Sequence, residues 1–170
     1  DARERFLKHD GLMIPQGLGL YLAPIEFEQK YLSSVDIWNE RLFGYDFSNI
    51  RTYSVNNRYG VKIQRDQFLA SPKLLSNMQF NLLDSVVFHG RMDFKIIRNG
   101  TLHGLCGWFS TKLTSNEILS NEPEVGNTHY NQAFFPLKQA IEISPGDEIS
   151  VSISIRMPNL WRWRVSVARQ

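Results

Sequence analysis

The residues best suited to chemistry lie in one acidic stretch of the chain, residues 113–137. This stretch contains no Lys or Arg, but it has three carboxylates, Glu117, Glu122 and Glu124. A concave surface of one sign concentrates ligands of the opposite charge. We therefore interpret the stretch as a place to which a cationic substrate is drawn. The alternative is a solvated surface loop whose acidity has no such role.

Metal and nucleophile chemistry are not indicated elsewhere. The four histidines, His9, His89, His103 and His129, are far apart, and Cys106 follows His103 by three residues. Positions i and i+3 of a strand face opposite sides, so this pair is not expected to share a zinc ion. The chain has no Gly-x-Ser-x-Gly elbow, no P-loop and no Gly-x-Gly-x-x-Gly loop. We expect no metal site and no bound nucleotide here.

Composition indicates one ordinary domain. The chain has 170 residues, a net charge of +2 and a single cysteine, Cys106, which excludes an internal disulfide. The charge is too small to indicate nucleic-acid binding. No apolar run approaches the ~18 residues of a membrane span, so no membrane partner is expected. We predict an intracellular protein, cytoplasmic or nuclear or both.

The elements that must position these residues are mostly strands. Residues 18–25 alternate as a strand, and residues 27–43 place aromatics on one helical face ending at Gly44. Asn99-Gly100 predicts a two-residue hairpin turn between strands over 92–98 and 101–113. Turns are also predicted at residues 145–147 and 158–159. Strict alternation follows in residues 149–156 and 161–168, which indicates antiparallel sheet with one buried face.

Together these patterns predict a mainly β fold. We expect an antiparallel β-barrel, or barrel-like sandwich, over residues 15–170, with an inserted helical arm at about residues 26–50. Residues 1–14 resemble a helix followed by a short strand over 12–14. We interpret them as an α/β remnant of a preceding domain, or as a helix that packs on the same core.

Two aromatic groups allow two interpretations each. Trp161 and Trp163 alternate with Arg162 and Arg164, which favours a core-facing pair over a surface that stacks nucleic-acid bases. Exposed Trp108, Trp161 or Trp163 would instead suit a non-catalytic sandwich that binds peptide or carbohydrate. The aromatic helical face could pack on its own barrel or dock on a second subunit.

Four patches resemble the protein arginine N-methyltransferases in the right order. Residues 2–15 are similar to the helix and strand that end the cofactor domain of that family, and residues 20–26 to its first barrel strand. Residues 38–48 resemble the dimerisation arm. Residues 104–113 and 120–132 resemble the strand and loop that carry a Thr-His-Trp motif, here Thr128-His129-Tyr130.

The resemblance implies an S-adenosylmethionine-dependent enzyme that methylates a guanidinium nitrogen of arginine in a protein. His129 would correspond to a loop histidine that supports the active site, and Thr128 would hold the loop. Tyr130 would form the aromatic wall, where its smaller ring and hydroxyl depart from Trp and leave a different acceptor open. Glu122 and Glu124 would attract substrate. Without the resemblance, His129 is a loop histidine satisfied by nearby backbone.

The resemblance also implies that cofactor binding and oligomerization are functions of different domains. S-adenosylmethionine would be bound by an upstream domain, of which residues 1–14 would be the C-terminal remnant, so this chain alone would bind no cofactor and be inactive. A homodimer would form through the arm. Its residues would be Tyr31, Trp38, Phe43, Tyr45 and Phe47.

Overall fold

The computed structural model describes residues 2–82, 87–125, 128–156 and 160–169. Within these ranges, short helices lie in the first part of the chain. The α-helices are α1 (Ala2–Phe6), α2 (Glu28–Ser34) and α3 (Ile50–Ser54), and 3₁₀ turns cover Asp36–Asn39 and Arg65–Gln67. The strands are β1 (Gly17–Ile25), β2 (Arg41–Leu42), β3 (Tyr45–Asp46), β4 (Tyr59–Val61), β5 (Lys73–Gln79), β6 (Val87–Lys95), β7 (Gly100–Lys112), β8 (Ile118–Ser120), β9 (Gln132–Ile143), β10 (Glu148–Arg156) and β11 (Leu160–Ala168).

The strands form two main antiparallel sheets. The larger has the order β4-β9-β7-β1-β5, with β8 paired to β7, and the smaller has the order β11-β10-β6. Strands β2 and β3 form a separate small hairpin. The mainly β, antiparallel prediction is confirmed. The barrel is not closed, because no ladder joins the two main sheets within the described residues.

The larger sheet is buried on both faces at its centre. Adjacent residues of a strand point to opposite faces, so Leu105 faces the smaller sheet while Cys106 faces the segment around α2. Phe135 and Phe134 of β9 divide in the same way. This double burial explains why five consecutive residues of β7, 102–106, are all buried.

Asn99-Gly100 does not make the predicted hairpin. Strand β6 pairs with β10, whereas β7 pairs with β1, β8 and β9, so the two strands belong to different sheets. Gly100 also has no positive φ, which a type I′ turn requires. The Arg98 guanidinium instead holds this corner by donating to Glu26 Oε2 over 2.7 Å and to the Phe68 carbonyl over 3.0 Å.

The predicted single helix over residues 27–43 is wrong. Helix α2 ends at Ser34, a 3₁₀ turn follows, and Phe43 and Gly44 form the turn of the β2–β3 hairpin with φ values of 53° and 83°. Such left-handed backbone suits a two-residue hairpin turn, so Gly44 reverses a hairpin rather than ending a helix. The predicted helical spacing holds for Tyr31 and Val35, which are both buried.

The alternation in β10 and β11 is confirmed. Ile149, Val151, Ile153 and Ile155 are buried. The rings of Trp161 and Trp163 lie 5.3 and 5.2 Å from that of Phe135. The tryptophans therefore face the core. The turn at 145–147 is confirmed by Gly146, whose φ is +100°, and the predicted turn at 158–159 lies outside the described residues.

The short strand predicted over residues 12–14 is not formed. Leu12 and Ile14 are 66% and 57% exposed. Within the described ranges this segment belongs to no ladder, so its backbone lacks the hydrogen-bonded neighbour that a strand requires. Helix α1 is tied to the larger sheet by Arg3, which donates to the Phe80 carbonyl over 3.1 Å. Among all the residues that the structure describes, no helix has the length and apolar character needed to cross a membrane.

Candidate functional site

The loop that carries the predicted site residues is braced by one buried amide side chain. Asn121 is 4% exposed, and its Oδ1 accepts from the Phe109 amide over 2.8 Å. Its Nδ2 donates to the Asn131 carbonyl over 2.7 Å. The side chain therefore joins the start of the loop to its end and anchors both to β7.

A second buried amide repeats this bracing. Gln132 Nε2 donates to the Asn121 carbonyl over 2.6 Å, and its Oε1 accepts from the Ile63 amide over 3.0 Å. Buried polar groups are satisfied in this way because an unpaired one costs free energy of folding. The loop is consequently held against the segment that follows β4.

That segment supplies cations which the sequence did not associate with the loop. Arg65 Nη2 lies 2.7 Å from Glu122 Oε1, and the Arg65 amide donates to Glu124 Oε1 over 3.0 Å. Lys62 Nζ donates to the carbonyls of Thr128 and Tyr130 over 3.2 and 2.9 Å. Part of the negative charge predicted here is thus neutralised within the chain.

The aromatic residues of the loop lie at its surface. Tyr130 is 42% exposed and packs edge-on against Phe109 at 5.5 Å between ring centroids. The exposed ring of His129 lies 4.1 Å from that of Tyr130. Within the described part of the chain the His129 ring makes no hydrogen bond.

Five predicted site residues lie on one loop: Glu122, Glu124, Thr128, His129 and Tyr130. Arg65 contacts both Glu122 and Glu124. Glu117 lies apart from this loop. Glu117 belongs to the turn before β8, where its carbonyl accepts from the Leu113 amide. No sequence signal indicated Lys62, Arg65, Asn121 or Gln132, because their roles depend on contacts between distant segments.

The arm contains both buried and exposed aromatics. Tyr31 is 1% exposed and lies in this chain's own core, and Trp38 Nε1 donates to the Ser34 carbonyl over 3.1 Å. Phe43 and Tyr45, at the tip of the β2–β3 hairpin, are 95% and 69% exposed. Phe47 is half-buried, 6.4 Å from the Tyr45 ring. The arm therefore has a packed base and an apolar tip.

One arginine fastens the base of the arm. Arg51 of α3 pairs with Asp36 at 3.1 Å and donates to the Lys138 carbonyl of β9 over 2.7 Å. Its guanidinium also lies 3.4 Å from the Tyr31 hydroxyl. Burial raises the pKa of Tyr31, with the Asp36 carboxylate adding to that shift. The base of the arm is therefore stabilised by contacts within this chain, and the exposed hairpin tip extends from it.

The remaining nucleophilic and metal-binding candidates are structural. Cys106 is fully buried, and burial raises the pKa of its thiol to about 12. His103 is 5% exposed and its Nδ1 accepts from the Phe27 amide over 3.1 Å. Burial lowers the pKa of His103. Among the residues that the structure describes, no group of three or more His, Cys, Asp or Glu side chains could hold a metal ion.

Comparison with known protein families identifies the family of this chain. A family model described as the arginine methyltransferase oligomerization subdomain matches residues 18–168. The chain belongs to this family. The chain is 26% identical over 181 aligned residues to protein arginine N-methyltransferase 2 of Homo sapiens, covering 98% of this chain and 42% of that protein. It is also 26% identical over 166 residues to protein arginine N-methyltransferase 6 of Xenopus laevis, covering 91% and 48%.

The chain thus spans less than half the length of these two relatives. Solved structures show the same fold. The Trypanosoma brucei PRMT1 enzyme-prozyme heterotetrameric complex with AdoHcy has a TM-score of 0.82 at 11% identity, covering 98% of this chain and 58% of that one. Protein arginine methyltransferase 10 of Arabidopsis thaliana has a TM-score of 0.67 at 18% identity, covering 98% and 63%.

Proposed function

We propose that this chain is the substrate-side and oligomerization part of an intracellular, S-adenosylmethionine-dependent protein arginine N-methyltransferase. The observation that carries the proposal is the match of residues 18–168 to the oligomerization subdomain of that family. The names of its relatives support the enzyme class, and AdoHcy in the Trypanosoma brucei complex supports the cofactor.

The loop after β8 would form the barrel-side wall of the substrate cleft. A guanidinium is planar, cationic and rich in donors, which suits carboxylates and exposed ring faces. Glu122 and Glu124 would draw the basic substrate toward the loop, and Tyr130 would present its ring. His129 is exposed, so its nitrogens are free to bind an acidic group of a neighbouring domain. Thr128 would hold the loop through its carbonyl, which accepts from Lys62.

The cofactor does not fit the residues present. The chain has no glycine-rich nucleotide loop. We therefore assign S-adenosylmethionine to another domain of the enzyme and derive no chemical step from this chain. The role of the loop is to orient the substrate and to exclude water.

The arm would bind a second subunit through its hairpin tip. Phe43 and Tyr45 place two exposed rings at one end of the molecule, and exposed apolar patches of this kind mark protein interaction sites. Phe47 would extend this contact. Tyr31 and Trp38 would act indirectly, by holding the base of the arm in place.

The oligomerization part is tested by sedimentation velocity on the 170-residue chain. We expect concentration-dependent self-association, and we expect the double variant Phe43→Ser/Tyr45→Ser to remain monomeric. Ile97→Ser is the matched control, because Ile97 is 61% exposed but lies away from the arm. A double variant that associates like the parent chain would contradict the proposed role of the tip.

The assignment of cofactor binding to another domain is tested by calorimetry and by a methyl-transfer assay. The chain alone is expected to give no heat of binding with S-adenosylmethionine and to transfer no label to a Gly/Arg-rich peptide. Saturable binding, or label incorporated above a no-protein control, would show that cofactor chemistry resides in these 170 residues.

A further inference from the structure

The outer face of the smaller sheet carries a cationic surface that the proposed function does not use. Alternation along β11 turns Arg162 and Arg164 away from the core, and alternation along β6 does the same for His89 and Arg91. Strand β10, between them, presents a line of serines ending in Arg156. We call this surface the arginine trough.

The strand register explains its shape. Ser152 pairs with Arg164 on one side and with Arg91 on the other, and Ser154 pairs in the same way with Arg162 and His89. Neighbouring strands lie ~4.8 Å apart, so the two rims are roughly 10 Å apart across a floor of small hydroxyl side chains. An open groove of about 700 Å³ lies on this floor.

Among the described residues, some arginines are paired with a carboxylate, whereas the rim arginines of the trough are not. Arg51, Arg65 and Arg98 are each paired with a carboxylate. Within the described residues, the guanidinium groups of Arg91 and Arg164 have no such pair, and neither does that of Arg162. The trough therefore has unneutralised positive charge directed into solvent.

The charge is also arranged asymmetrically along the sheet. Beyond Arg91 and Arg164, the next row pairs Ser150 with Asp93, and the Ser150 hydroxyl donates to the Asp93 carboxylate. Glu148 follows one row further, where its cross-strand partner on β6 is Lys95. The positive end of the trough therefore lies toward Arg156, and the opposite end, beyond Ser150, carries charges of both signs. A bound anion is favoured at the positive end, where no carboxylate of the described strands shares the surface.

We propose that the arginine trough binds an extended acidic segment of a partner protein. Side chains two residues apart on an extended chain are ~6.7 Å apart, the same spacing as Arg162 and Arg164 in β11. The serine hydroxyls supply further donors to carboxylates. A single-stranded nucleic acid fits less well, because such binding stacks bases on exposed aromatics, whereas Trp161 and Trp163 pack on Phe135.

The experiment measures fluorescence anisotropy of a labelled peptide of about twelve alternating Ser and Glu residues, whose carboxylates share the spacing of the rim. The 170-residue chain is expected to bind it with an affinity that falls as salt rises. Replacing the three arginines of the two rims, in Arg91→Gln/Arg162→Gln/Arg164→Gln, is expected to weaken binding about tenfold.

Two comparisons keep the result specific. Lys95→Gln and Lys112→Gln also remove exposed cations but lie outside the positive end of the trough, so binding should be unchanged. A matched Ser-Lys peptide should not bind. Circular dichroism of the triple variant verifies that it is folded.

Three outcomes would overturn the proposal. The triple variant could bind like the parent chain, either lysine control could weaken binding as much, or an oligothymidylate of similar length could bind more tightly than the acidic peptide. None depends on the arm or on methyl transfer, so failure here is distinguishable from failure of the proposed function.

Discussion

Arg65 contacts the acidic loop twice, with its guanidinium 2.7 Å from Glu122 Oε1 and its amide 3.0 Å from Glu124 Oε1. One residue of a distant 3₁₀ turn thereby engages both carboxylates of the 122–124 segment. The side chains of Arg65 and Glu122 are 53% and 39% exposed, so the pair contributes little free energy but sets where the loop lies. The loop's electrostatic effect on a basic substrate is correspondingly smaller than the sequence alone indicates.

A double-mutant cycle on this pair should give a small coupling. We expect Arg65→Gln, Glu122→Gln and the double variant to yield a coupling free energy of about 0.2–1 kcal/mol in urea unfolding, because exposed ion pairs are screened by water. Lys112→Gln provides the control for loss of an exposed cation. A coupling near zero would mean that the contact does not hold the loop in solution.

Removing the amide that braces the loop should cost considerably more. Asn121→Ala leaves the Phe109 amide and the Asn131 carbonyl without this partner, and we expect about 1–3 kcal/mol of lost stability from buried groups left unpaired. Hydrogen exchange at the Phe109 amide should also increase. Asn116→Ala, at an exposed position, should change stability by less than about 0.5 kcal/mol. Equal effects from the two variants would contradict the bracing role.

Stability should fall on mild acidification because of His103. Burial lowers the pKa of this histidine from 6.5, despite the opposing carboxylates of Glu26 and Glu28. Below the unfolded pKa the unfolded chain therefore binds more protons than the folded chain, and the free energy of unfolding falls as pH drops through this window. The measurement is urea unfolding between about pH 5 and 8.

The matched variants for this pH effect are His103→Gln and His9→Gln. His103→Gln removes the titrating group, so the slope of stability against pH should become shallower near pH 6.5, the ordinary pKa of the side chain. His9 is exposed, and His9→Gln controls for the loss of a histidine side chain as such. An unchanged slope in His103→Gln would show that this histidine is not the source.

The thiol of Cys106 should be inert in the folded chain. Burial raises its pKa to about 12, and the thiolate is the reactive form. A disulfide reagent at neutral pH is expected to label native protein far more slowly than protein in denaturant. Rapid labelling of the native chain would indicate that the cluster around Cys106 opens readily.

Local sequence patterns were sufficient to predict burial where the position of a residue within its own strand decides which face its side chain occupies. The alternation in residues 149–156 and 161–168 predicts which side chains are buried, because period two decides which face each occupies. The same reasoning placed Trp161 and Trp163 in the core. The mainly β class, and the turn at 145–147, follow from such short-range signals.

Local patterns failed where the partner of a segment decides its structure. Asn99-Gly100 has the composition of a hairpin turn, but β6 and β7 pair with different strands, so the chain crosses between sheets there. The sequence predicts a helix that runs to Phe43 and ends at Gly44, yet these two residues form a turn between β2 and β3. In both places tertiary pairing overrides local preference.

The sequence by itself determined the strand faces, the turn at Gly146 and the resemblance to the family, since these depend on residue order and on local backbone geometry. Only the tertiary structure decided that Arg65 meets Glu122 and that Asn121 spans the loop. It also decided that Arg91 shares a surface with Arg164. The physical reason is that each of these relationships joins segments far apart along the chain, and sheet register, which no short window of sequence contains, sets their distance.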